Sequence, residues 1–254
     1  MTEPTMTPTD YQGADACWSP NFGDRKEGLQ PSIIVLHYTG MGTGQEAQDW
    51  LCNPDSNVSC HYLVHEDGRI IQMVPESKRA WHAGAGSWHG EHDINSRSVG
   101  IEIVNVGHPE LPAFPDKQVD AVISLTQAII TRHKIELKNV IGHSDMAPGR
   151  KIDPGEMFPW KRLAEAGVAL HIDPEPILSG RFFAQGEVGE PIEALQAMLA
   201  LYGFEQSVDG VFDERTKAQI EAFQRRHRPE KVDGVADVST IMTLRNYLGL
   251  IAQV

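Results

Sequence analysis

Histidines that close apolar strands are candidates for chemistry, because strand ends face the loops where sites are built. Two of the 11 histidines stand there: His37 closes the β-branched run Ile33–Leu36, and His143 closes Val140–Gly142. Asp153 follows His143 by ten residues, within Lys151-Ile152-Asp153-Pro154-Gly155. Pro154 restricts Asp153 to extended conformations and Gly155 permits a sharp turn, so the carboxylate is fixed on a loop. Two histidines and a carboxylate form a ligand set used by zinc hydrolases, which keep a fourth position for water. A structural zinc would favour cysteines, but Cys17, Cys52 and Cys60 lack Cys-x-x-Cys spacing. Ligands spread so far along a chain remain a candidate set on spacing alone. Glu102 interrupts the apolar run Val99–Val104. Alternation turns it away from the face of Ile101 and Ile103, toward solvent or into a site. In a site, burial would raise its pKa toward that of a base at neutral pH.

The surrounding pattern supplies the elements that must hold these residues. Ile33–Leu36 and Val99–Val104 read as buried strands, Ser59–Val74 as a hairpin turning at Asp67-Gly68, and Val140–Gly142 as a last short strand. Gly44–Leu51 reads as a short helix stopped near Asn53-Pro54. Lys117–His133 reads as a long one, with Val119, Val122, Ile123, Thr126, Ile129 and Ile130 near a 3.6 period. Strands interleaved with helices predict an α/β fold with a mixed central β-sheet flanked by helices. Residues 1–30 read as a poorly ordered lead-in, 31–170 as the main domain and 171–187 as a linker, where Pro174, Pro176, Gly180 and Gly186 cluster. Residues 188–254 read as a small three-helix domain. It carries a repeat, Asp-Gly-Val-x-Asp-x-x-Thr, at Asp209–Thr216 and again at Asp233–Thr240; Asp213 and Asp237 are placed to cap the following helices.

Composition narrows the partners. The 254 residues carry a net charge of -13, which opposes nucleic-acid binding through a general basic surface and opposes anionic membranes. No stretch is long enough for a transmembrane helix. The polar Met1–Gly13 shows no secretory signal, and the three cysteines read as free thiols, which favours a reducing compartment.

Several motifs then occur in order: Ile34-Val35-Leu36-His37-Tyr38-Thr39, Ser59-Cys60-His61-Tyr62, Arg79-Ala80-Trp81-His82-Ala83-Gly84, Asn95-x-x-Ser98-Val99-Gly100-Ile101-Glu102, Gly142-His143-Ser144-Asp145 and Lys151-x-Asp153-Pro154-Gly155. Over about residues 30 to 165 this succession resembles the N-acetylmuramoyl-L-alanine amidases of the type-2 amidase fold, shared with phage amidases and animal peptidoglycan recognition proteins. The resemblance implies one Zn²⁺ per chain on His37, His143 and Asp153, Glu102 as general base, and Lys151 steadying the developing oxyanion. It implies substrate contacts from Trp81 and His82, with Tyr38, Asn95 and Arg79 carried in the same motifs. Cys60 stands where phage members often have Tyr, which leaves Glu102 as the better candidate for the base. Leu195-Gln196, Tyr202-Gly203-Phe204, Val208–Phe212 and Phe223-Gln224 resemble a three-helix peptidoglycan-binding module.

The implied activity is hydrolysis of the amide between N-acetylmuramic acid, or its anhydro form, and L-alanine, with peptidoglycan or muropeptide fragments as partners. A non-catalytic peptidoglycan recognition protein is the rival; it would typically lack part of the ligand set that is complete here. A wall-anchoring protein led by the C-terminal module would leave that set unexplained. With no leader visible and the thiols unpaired, cytoplasmic recycling of soluble muropeptides is favoured, whereas the wall module favours the periplasm or cell envelope and the intact polymer, a leader then having been removed. Other histidines read as structural or solvated: His61 and His65 packed in the hairpin, His89, His92 and His108 in polar loops, His133, His171 and His227 at helix ends or in the linker. Arg79, Arg97 and Arg150 read as solvent charges by default, and near the site one or more could bind stem-peptide or sugar carboxylates.

Overall fold

The computed structural model describes residues 8–252. Its centre is β3 (Ile33–Tyr38), which pairs in parallel with β7 (Ser98–Ile103) on one side and with β8 (Val140–Gly142) on the other. β3 and β7 are buried on both faces, which is why their sequences run almost continuously apolar. The hairpin β4 (Tyr62–Val64) and β5 (Ile70–Gln72) joins through β4, parallel to β7. β1 (Ala14–Ala16) pairs in parallel with β5, completing a six-stranded mixed sheet of order β1-β5-β4-β7-β3-β8.

The segment expected to be a loose lead-in is largely ordered. Besides β1 it holds β2 (Phe22–Asp24), antiparallel to β6 (Lys78–Ala80). It also holds the buried Arg25, whose guanidinium donates to the carbonyls of Glu76, Ser96 and Ser98. Isolated residues give no periodicity to read there; the strands form because neighbouring edges offer unpaired backbone groups. Residues 1–7 of that expected lead-in lie outside the described residues.

The two faces of the sheet are covered differently. Ile34, Leu36, Val99 and Ile101 pack under α3 (Asp116–His133), which buries Val119, Val122, Leu125 and Ile129. Against Ile33, Val35 and Ile141 on the other face lies a cluster that continues through Trp88 into the three C-terminal helices. These are α6 (Glu190–Tyr202), α7 (Glu214–His227) and α8 (Val238–Ile251). The remaining helices are α1 (Gly44–Cys52), α2 (Ile94–Arg97), α4 (His143–Met146) and α5 (Trp160–Glu165).

The repeat in the C-terminal unit has a structural meaning. Gln196 and Gln224 are both fully buried. Each accepts from two amides of an Asp-Gly turn and donates to the carbonyl of the next valine: Asp209, Gly210 and Val211 for Gln196, Asp233, Gly234 and Val235 for Gln224. Asp213 and Asp237 then cap α7 and α8 through the Thr216 and Thr240 amides at 2.8 Å, each cap stabilising its helix by about 1 kcal/mol.

Residues 171–189 carry no helix, but they do not hang free. Glu175 is held by Thr243, Ser239 and Asn246, and Phe183 pairs with Ala236. His227, read as a helix-end residue, is fully buried and stacks on His171 with centroids 5.6 Å apart. His133 likewise bonds the buried Glu76 at 2.6 Å. Cys17 and Cys52, which have no paired spacing in sequence, bring their sulfurs to 3.4 Å, while Cys60 is buried alone. Among the described residues no helix is long and apolar enough to cross a membrane.

Candidate active site

Sheet register assembles the site. His37 and Glu102 are directly opposite on β3 and β7, and Leu36 is opposite Gly142, the residue before His143. All three candidate side chains therefore emerge at the carboxyl ends of adjacent parallel strands, where α/β sheets open a crevice. Asp153 is brought in by the loop after α4; Ser144 donates its amide to the Asp153 carbonyl at 2.9 Å.

Nδ1 of His37 and Nδ1 of His143 lie 2.9 Å apart, and each lies 3.0 Å from the same oxygen, Oδ2 of Asp153. All three residues are buried. The hydrogen bonds behind them settle where the protons are. Nε2 of His143 faces the Ala83 carbonyl at 2.9 Å, which can only accept, so a neutral His143 presents a lone pair at Nδ1. The hydroxyl of Ser98 donates to the Ile94 carbonyl at 2.7 Å and so accepts from Nε2 of His82. His82 then accepts at Nδ1 from Nε2 of His37 at 2.9 Å, which leaves a lone pair at Nδ1 of His37 as well. Burial, then the neighbouring His143, pushes His37 down to about 4, so it is neutral at physiological pH. Burial, then His37, lowers His82 well below the usual histidine range. Three acceptor atoms thus converge with no proton left to share. That donor set fits a metal cation, with outer partners fixing the tautomer of each imidazole.

Glu102 has one carboxylate oxygen buried without a partner. Burial, reinforced by Asp153 and opposed by Lys151, raises its carboxyl well above the usual range. Lys151 lines the same cleft, and its ammonium makes no ion pair among the described residues. The cleft has a volume of about 410 Å³ and is walled by Tyr38, Met41, Trp50, Trp81, His82 and Ile152.

The sequence-predicted substrate residues divide. Tyr38, Trp81 and His82 line the cleft, with His82 also serving as the hydrogen-bond partner of His37. Asn95 does not reach it: its Oδ1 accepts from the amides of His82 and Ala83, which shapes the segment that holds both histidines. Arg79 does not reach it either, because its guanidinium is taken by Asp93 at 2.7 Å and by Ser96. Arg150, read as a solvent charge, does line it and donates to the Ala83 carbonyl at 2.7 Å. His61 is the packed residue expected: it accepts from the Gly100 amide and faces the Lys78 carbonyl. Trp50 was legible only as a helix residue. It is an exposed aromatic on α1, whose start is fixed by the Thr43/Glu46 capping box.

Residues 27–156 match the N-acetylmuramoyl-L-alanine amidase family model, and residues 188–244 match that of a peptidoglycan binding domain. The chain belongs to the N-acetylmuramoyl-L-alanine amidase family. It is 35% identical over 224 residues to N-acetylmuramoyl-L-alanine amidase AmiD of Escherichia coli, covering 82% of this chain and 79% of the relative. It is 34% identical over 162 residues to 1,6-anhydro-N-acetylmuramyl-L-alanine amidase AmpD of Citrobacter freundii, covering 57% of this chain and 85% of that one. The structure of E. coli AmiD in complex with anhydro-N-acetylmuramic acid-L-Ala-D-γ-Glu-L-Lys superposes with a TM-score of 0.73 at 31% identity, over 92% of this chain and 99% of that one. AmpDh3 of Pseudomonas aeruginosa, in complex with an anhydromuramic pentapeptide, gives 0.69 at 29% identity, over 87% and 92%. The mixed sheet flanked by helices is the fold of this amidase family, and the enzyme is an amidase.

Proposed function

We propose that this amidase hydrolyses the amide between the lactyl carbonyl of anhydro-N-acetylmuramic acid, or N-acetylmuramic acid, and L-alanine, using one Zn²⁺ held by His37, His143 and Asp153. The observation that carries this reading is the convergence of three proton-free acceptors within 3.0 Å of one another, beside the half-buried Glu102 with one buried, unanswered oxygen. Bound there, zinc would act as a Lewis acid toward the amide carbonyl and make water a competent nucleophile at neutral pH.

The chain's own groups do the rest. Glu102 stands opposite His37, so its carboxylate can take a proton from the attacking water. The same carboxyl, kept protonated by its desolvated setting, returns that proton to the departing amine of L-alanine. The Lys151 ammonium faces the cleft, where negative charge grows on the carbonyl oxygen. Tyr38, Trp50 and Trp81 offer rings to the sugar or lactyl group. Residues 31–170 would supply the chemistry, and residues 188–254, joined through 171–187, a wall-binding surface. The anhydro sugar in the two complexes of relatives supports a soluble anhydromuropeptide as substrate. A purely recognising protein has no use for a desolvated Glu102 beside a metal set, which favours the enzyme.

Zinc content measured together with hydrolysis of a muramoyl-tripeptide, with and without chelator, tests this. One equivalent of zinc and chelator-sensitive release of the L-alanine-headed peptide is expected. Zinc bound without turnover, on both anhydro and reducing-end substrates, would overturn the assignment in favour of recognition.

A further inference from the structure

The metal ligand His143 is the first residue of α4, a single helical turn. What holds that turn comes from the other end of the chain. Asp145, two residues along, is buried, and its Oδ2 accepts from the Gly142 amide at 2.8 Å, closing the turn on itself just before His143. The same Oδ2 accepts from Nη1 of Arg226 on α7 at 2.7 Å. Nη2 of Arg226 donates to the Val140 carbonyl on β8 at 3.1 Å and to the Leu170 carbonyl at 3.0 Å. Its guanidinium carbon lies 4.0 Å from the centre of the Trp160 ring. One buried side chain of the C-terminal helices thus grips both elements that flank His143: the strand that ends before it and the turn that begins with it.

We propose that Arg226 is a positioning residue for His143, and that the C-terminal helices, besides offering a wall-binding surface, form part of the frame of the metal site. The surroundings agree. Trp88, five residues beyond Ala83, whose carbonyl fixes the His143 tautomer, packs edge-to-face on Tyr202 with centroids 5.5 Å apart. The backbone is joined there too, the His89 amide donating to the Gly203 carbonyl at 2.8 Å. Arg225 adds a second bridge, to Glu156 at 2.9 Å, in the loop that carries Asp153. Without Arg226, Asp145 would be an unanswered buried anion. It would turn toward water, which releases the Gly142 amide and with it the Nδ1 direction of His143.

The inference rests on the zinc reading above, and the test separates the two. Full-length wild type, Arg226→Met, Arg226→Lys and a control, Leu244→Ala, would each be titrated with Zn²⁺ against a chromogenic chelator and melted in the metal-free form. Leu244 is a fully buried residue of α8, so its truncation loosens the C-terminal core without touching Asp145. Arg226→Met should weaken zinc binding roughly tenfold or more, within the range for lost outer-shell support. Arg226→Lys, which keeps the charge but not the fork, should recover part of it. Leu244→Ala should lower the melting temperature and leave zinc affinity within about twofold of wild type. Unchanged affinity in Arg226→Met, or an equal loss in Leu244→Ala, would overturn the positioning role. A wild type that binds no zinc would overturn the zinc reading itself, and this inference with it.

Discussion

Two buried polar clusters meet at the single turn of α4, and they are built on opposite rules. On the cleft side, His37, His143 and Asp153 point three acceptors at one another with no donor between them, and Glu102 buries an oxygen without a partner. On the seam side, the Asp145 carboxylate is answered by Arg226 and the Gly142 amide. Burying a polar group is tolerable when a partner replaces water, and unfavourable otherwise. In the seam folding therefore supplies the counter-charge, although Nε of Arg226 keeps no partner, whereas the cleft is left for a cation and substrate to complete on the reading proposed above. Burial alone does not mark function; what sets the cleft apart is that its unanswered oxygen, on Glu102, stands beside three converging acceptors.

Removing a ligand should give the largest effect and expose the difference most directly. Asp153→Asn puts a potential donor where three acceptors collide. Metal-dependent turnover should fall to background and zinc content to near zero, while the metal-free protein melts at or above the wild-type temperature. A melting temperature well below wild type would mean that the triad is a structural cluster and the comparison fails. Next in size, Glu102→Gln should retain one equivalent of zinc yet lose roughly 10²–10⁴-fold in turnover, read by product release at saturating metal.

The seam should answer the other way. Asp145→Asn leaves the Arg226 charge, 3% exposed, without its counter-charge. Breaking one side of a buried pair costs about 3–5 kcal/mol, so thermal denaturation should shift down by on the order of 10 °C. Gly100→Ala probes the cleft more gently. A Cβ on Gly100 would sit 2.5 Å from the His82 ring, so the ring must move and its bond to His37 with it. Zinc affinity should weaken by about tenfold, measured by the same chelator competition, with a stability loss of about 1–3 kcal/mol from overpacking, below that of Asp145→Asn.

These contrasts also show what a sequence can and cannot say. His37, Glu102 and His143 were legible because each breaks or ends an apolar run, and a strand's period of two fixes which face it joins. Asp153 was legible because Pro154 and Gly155 constrain its loop. The long helix and the two Asp-capped helices followed from periodicity and turn chemistry, with ends close to those observed. The hydrogen-bond partners were not legible. Asn95 and Arg79 sit in the right motifs, yet their side chains are spent on the His82 and Ala83 amides and on Asp93. The seam was hidden for the same reason. Arg226 reads as one more charge near a helix end, and only tertiary packing, 81 residues away from Asp145 in the chain, reveals its partner.

The smallest effect comes from a second answered cluster, none of whose side chains lines the cleft. Glu76 is 2% exposed, and its carboxylate meets Arg132 at 2.6 and 2.7 Å, His133 at 2.6 Å and the Tyr62 hydroxyl at 2.6 Å. Burial by itself would raise its pKa; the hydrogen bonds from His133, Tyr62 and Arg132 outweigh it, so the folded value lies below the ordinary 4.5. A depressed carboxyl contributes stability that is fully present above the unfolded value and is lost as pH falls through the folded one. The melting temperature of wild type should therefore drop as pH is lowered below about 4.5, and Glu76→Gln should flatten that slope. The gap between the two proteins should be widest near neutrality and close in acid, with turnover at neutral pH unchanged. If Glu76→Gln instead impaired zinc binding, this cluster would support the metal site as the seam is proposed to do, and the frame would have to be extended to α3.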